Sequence, residues 1–94
     1  MDKTIIFLSM PFLPKKFLKS FLGWNDIRWK DYRRIYISAK IPTSNKMIEK
    51  ELKKLAYLVN VFPNVSIIGD SFGSWWLTHL ICNHTIKINK LIFL

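Results

Sequence analysis

The sequence holds a single cysteine, Cys82, so no internal disulfide can close and a bridge-stapled fold is excluded. A reducing compartment suits such a chain, which makes the cytoplasm the default expectation. Acid is scarce too: six Asp and Glu stand against fifteen Lys and Arg, a formal net charge of +9, and no acidic residue follows Asp70. A membrane-spanning helix needs about 18 consecutive apolar residues. The longest uncharged stretches are broken by Pro63, or by His79, Asn83 and His84, so no segment qualifies. The opening Met1-Asp2-Lys3 and the apolar run after it imitate a secretory signal. Pro14-Lys15-Lys16 stands where a small-residue cleavage site belongs, and the segment reads as a strand. Internal repeats and low-complexity linkers are absent from the sequence, which leaves one domain over residues 1–94.

Half of the 94 residues are apolar, enough for one small core with a thin stability margin. Thr4-Ile5-Ile6-Phe7-Leu8 is a continuous β-branched and aromatic run, which suits a strand buried on both faces. Phe17-Leu18 and Phe21-Leu22 recur at a spacing of four ahead of Gly23, predicting a short helix over 15–22. Arg34-Ile35-Tyr36-Ile37-Ser38 reads as a second strand, closed by the Ile41-Pro42 step. Ser44 or Asn45 caps a helix whose apolar stripe is Ile48, Leu52, Leu55 and Val59, with Lys50, Lys53 and Lys54 outside it. Pro63 ends that helix, and Val65-Ser66-Ile67-Ile68 forms a third strand running into Gly69. A further helix is expected over about 74–83. Ile86, Ile88 and Leu91-Ile92-Phe93-Leu94 make a fourth strand. Alternation of this kind predicts an α/β fold: a parallel sheet of about four strands with helices on both faces.

Between the third strand and the helix after it lies Gly69-Asp70-Ser71-Phe72-Gly73. A Gly-x-Ser-x-Gly match arises by chance in roughly three of every hundred chains this long, so the context gives it weight. A strand-to-helix junction is where a nucleophile elbow occurs. The sharp turn lifts the Ser71 hydroxyl above the sheet edge, and Gly69 and Gly73 leave room where two backbones crowd. The free N–H groups of the helix start then face the serine, with the Phe72 N–H placed to hold a developing oxyanion.

On these residues the chain resembles the α/β-hydrolase family, from Thr4 to Leu94. The resemblance implies a central portion of that fold, equivalent to its third through sixth strands in the order 4-3-5-6. It also implies an esterase- or lipase-like serine hydrolase with Ser71 as nucleophile. The family usually has a His-Gly pair after the third strand, followed by a second oxyanion donor. Here Ser9-Met10 occupies that place, and Pro11 has no N–H to give. The family order of Ser, then acid, then His also breaks down, because no acid follows Ser71. His79 lies about 12 Å along the helix from Ser71, out of reach, and His84 is farther. Asp70 is adjacent, where side chains diverge. The chain is therefore expected to be a truncated domain, inactive or nearly so alone.

Other readings attach to single features. His79, Cys82 and His84 give at most three ligands, and neither a metal nor a cofactor is expected. Trp75 and Trp76 either line an acyl pocket or pack the core, packing being the commoner role. Residues 24–34 interleave Trp24, Trp29 and Tyr32 with Arg28, Lys30, Arg33 and Arg34. That composition allows a non-catalytic basic module for nucleic acid or a membrane surface. A solvated loop with snorkelling side chains is the plainer alternative. Expected partners are a small ester substrate and, through an uncovered final strand, a second chain or another copy.

Overall fold

The computed structural model describes residues 2–9, 16 and 24–93. Four strands form one parallel sheet: β1 (Thr4–Ser9), β2 (Arg33–Ser38), β3 (Val65–Gly69) and β4 (Lys90–Phe93). Helices α1 (Asn45–Val61) and α2 (Phe72–Asn83) accompany them. The expected α/β class is what the chain adopts.

The strands lie in the order β2-β1-β3-β4. The expected row, 4-3-5-6, is not matched as numbered; both rows place the first of these strands between the second and the third. β1 and β3 occupy the middle and are buried along their whole length, as their unbroken apolar runs require. The register sets Phe7 between Tyr36 and Ile68, and Leu8 beside Gly69.

Handedness decides which face each connection covers. The step from β1 to β2 moves one place across the sheet, whereas β2 to β3 and β3 to β4 move the other way. Right-handed crossovers therefore put α1 and α2 on one face, and residues 24–32 ahead of β2 lie on the other. Ile6, Leu8, Val65 and Ile67 meet Leu52, Ala56 and Val59 of α1 and Trp76, Leu77 and Leu80 of α2. Ile5, Phe7 and Ile68 point the opposite way and meet Trp24, Trp29 and Tyr32.

α1 and α2 thus share one face, and aromatic side chains around a 3-10 turn (Ile27–Trp29) pack on the other. The helix expected over 15–22, with Gly23, falls outside the described residues apart from Lys16. Trp29 is 5% exposed, so the stretch read as a solvated loop is in fact the lid of a second small core.

Element ends follow local chemistry. The Ser44 hydroxyl accepts from the Met47 N–H at 3.2 Å and caps α1. Phe62 leaves helical geometry at φ −99°, ψ 142°, as a residue before proline is driven to do. Helix α2 starts at Phe72, not near Ser74, because the turn at Ser71 is made by the backbone without a capping side chain. The last strand begins later than expected, at Lys90. Ile86 and Ile88 pack against the helix-side core, and among the described residues pairing with β3 runs from Lys90 to Phe93.

Candidate active site

Ser71 carries the geometry that singles out this region. Its backbone lies at φ 55°, ψ −121°, a combination that L side chains avoid and a sharp reversal requires. It joins the last residue of β3, through Asp70, to the first turn of α2. Four backbone hydrogen bonds hold the turn. Asp70 N–H donates to the Leu8 carbonyl at 3.0 Å, and Gly73 N–H donates to the Asp70 carbonyl at 2.8 Å. Ser74 and Trp75 N–H groups both donate to the Ser71 carbonyl, at 3.0 and 3.2 Å. The Phe72 N–H, in the first turn, has no acceptor within the helix and none among the described residues. Ser71 itself is exposed.

The glycines are explained by what a Cβ would strike. On Gly73 it would overlap the Leu8 carbonyl, so α2 packs on β1 through bare backbone. On Gly69 it would lie 3.1 Å from Leu77 Cδ2 and 3.3 Å from the Gly73 carbonyl oxygen. The pair lets helix, strand and turn close on one another, and Ser71 is lifted at the meeting point.

Topology gives the same place independent weight. The direction of strand addition reverses between β1 and β3, and in open α/β sheets the crevice outside the carboxyl ends at such a reversal is where ligands bind. Ser9 ends β1 there and Ser71 follows β3.

Two residues that the sequence did not mark join this corner. Ser9, fully buried, lies beside the Tyr36 phenol, and the Asp70 carboxylate is close enough to act on the same group. Burial pushes the Tyr36 hydroxyl above its ordinary value. Contact with Ser9 works against the rise, and the charge of Asp70 adds to it. The phenol is thus held protonated. Asp70 follows β3 beside the end of β1, where its backbone N–H bonds the Leu8 carbonyl, which puts its charge at the edge of the site. Sequence spacing could not have revealed the trio, because the register of three strands brings it together.

The other candidates settle elsewhere. His79 lies against the Trp75 ring at 4.0 Å between centroids, and His84 ends α2 with its N–H on the Leu80 carbonyl. Cys82 is exposed. No cluster of three metal-ligating side chains occurs among the described residues. Trp76 is 1% exposed and donates its indole N–H to the Lys40 carbonyl at 2.6 Å, which makes it a packing residue. It borders a cavity of about 80 Å3 beneath the ends of β1 and β2. A wider groove of about 960 Å3 lies at the opposite end of the sheet, between Phe62, Asn64, Lys87 and Asn89, away from Ser71. Met10 and Pro11, where the second oxyanion donor was weighed, lie outside the described residues.

The aromatic and basic stretch offers no stacking platform. Trp24 packs on Phe7 at 5.0 Å and Trp29 edge-on to Tyr32 at 5.2 Å. Arg34 donates to the Trp24 carbonyl at 3.0 Å. Arg28 is committed to Asp26, whose carboxyl is held at about 2 by hydrogen bonds from the Arg28 side chain and then its backbone. No helix of the described residues is long and apolar enough to cross a membrane.

No protein-family model matches the chain, and no similar protein was found among curated proteins or solved structures. Any functional reading therefore rests on the geometry of the Ser71 corner.

Proposed function

We propose that this chain carries the nucleophile portion of an α/β-hydrolase-type serine site acting on ester-type acyl groups. The supporting observation is the backbone of Ser71: an exposed serine at φ 55°, ψ −121° between a buried strand and a helix start, with the Phe72 N–H unclaimed beside it. A turn of this kind is energetically costly and is retained where a side chain must be presented.

In the proposed chemistry the Ser71 hydroxyl oxygen attacks the acyl carbonyl carbon. The carbonyl oxygen becomes an oxyanion that the Phe72 N–H stabilises, in the field of the α2 N-terminus. The hydroxyl proton must leave to a base, and collapse of the oxyanion then expels the ester's alcohol, which takes that proton; among the described residues no base is hydrogen-bonded to the Ser71 hydroxyl. His79 is held against Trp75. Base and acid would have to come from outside the described residues, and without them in place Ser71 should acylate slowly and turn over poorly.

Intact-mass analysis after prolonged exposure to a fluorophosphonate probe tests both halves of this reading. The expected result is slow formation of one adduct, located on Ser71 and absent from Ser71→Ala, with no steady hydrolysis of an activated ester. An adduct that persists in Ser71→Ala overturns the nucleophile assignment. Rapid labelling that vanishes in the variant overturns the incompleteness.

A further inference from the structure

The outer face of α1 is a second candidate surface, independent of the Ser71 reading. At about 100° per residue, Lys46, Lys50, Lys53 and Tyr57 fall within an arc of about 60°, and they extend about 16 Å along the helix. All four are exposed, Tyr57 to 73%. Val61, 51% exposed, continues the same side to the helix end. The three lysines make no ion pair among the described residues. The acids nearby are placed otherwise: Glu51 is taken by Lys40 at 3.0 Å and Lys54 at 3.4 Å, and Glu49 flanks the stripe without entering it.

We propose that this face of α1 docks on anionic lipid bilayers. Three lysines in line, on a chain of formal charge +9, complement a negative headgroup layer, where each contributes about fivefold to partitioning. Lysine stems snorkel along an interface while their ammonium groups stay among phosphates. An exposed tyrosine and valine on the same line give the apolar contact that a headgroup region accepts. Nucleic acid fits this face less well. It is a convex helix surface bearing point charges, with no arginine for planar phosphate or base-edge recognition, and its one aromatic side chain is not part of a groove.

Co-sedimentation with vesicles of phosphatidylcholine alone, or with about 30% phosphatidylserine, tests the proposal, with circular dichroism to confirm that each variant is folded. Expected is binding only to the anionic vesicles, suppressed by high salt and reduced about 100-fold in Lys46→Gln/Lys50→Gln/Lys53→Gln. The control Lys30→Gln/Lys87→Gln/Lys90→Gln removes equal charge elsewhere and should lose about tenfold or less. Equal losses in the two triple variants would show that only overall charge matters and overturn the assignment to α1. So would wild-type protein that ignores the anionic vesicles, or that binds a single-stranded oligonucleotide more tightly than it binds them.

Discussion

Gly73 lies so close to the carbonyl of Leu8 that no β-carbon fits between them. This contact seats the first turn of α2 on the end of β1 and fixes where Ser71 emerges. Gly73→Ala must push helix and strand apart against backbone, which cannot rotate away. The expected cost is about 3 kcal/mol or more in urea unfolding, the upper range for overpacking. Gly69→Ala meets Leu77 Cδ2 at 3.1 Å and the Gly73 carbonyl at 3.3 Å, a much milder overlap, and should cost about 1 kcal/mol. Equal, small effects at both positions would contradict the packing described.

The Ser71 backbone gives a second test. Strain at such a φ and ψ costs about 1–3 kcal/mol in a residue with a β-carbon and little in glycine. Ser71→Gly should therefore be more stable than Ser71→Ala by about 1 kcal/mol, the rest of the relief being offset by glycine's freer unfolded chain. Alanine matching glycine in a denaturation midpoint would mean the turn is unstrained.

Trp76 joins α2 to the segment after β2 through its bond to the Lys40 carbonyl. Trp76→Phe leaves that carbonyl unpaired beside a new void, and about 2 kcal/mol or more of stability should be lost. A variant unfolding at the wild-type denaturant concentration would show that the indole contributes nothing there.

Glu51 sets an acid-side dependence. Burial raises its carboxyl, but hydrogen bonds from Lys40 and Lys54 outweigh burial and hold it below its ordinary value. A carboxyl depressed by folding adds stability that is complete above its unfolded value and disappears as pH falls through the folded one. Between neutral pH and about pH 3, wild type should lose more stability than Glu51→Gln by at most about 1 kcal/mol, since the pair is partly solvated. Parallel pH profiles would remove the ion pair from the account.

Much of the fold was legible because its signals are local. The runs at Ile5 to Leu8 and Val65 to Ile68 announce strands buried on both sides, and the stripe through Leu52 and Val59 announces α1. The glycine pair around Ser71 marked the turn. What stayed hidden depends on distant partners. Ile86 and Ile88 alternate like a strand, yet the helix-side core claims them. The aromatics of residues 24–32 have no period because they cover a sheet face from turns, and their destination is set by crossover handedness. Tyr36 and Ser9 join Asp70 only through strand register, which no spacing in one segment encodes.

The central claim is that residue 71 is presented openly in the field of the α2 N-terminus, and a thiol can report this without any catalytic base. In Ser71→Cys/Cys82→Ser, the new thiol should react with iodoacetamide at pH 7 about threefold or more faster than Cys82 of the wild type, which is exposed near the opposite end of the same helix. A rate equal to or below that of Cys82, in a variant that remains folded, would contradict the account.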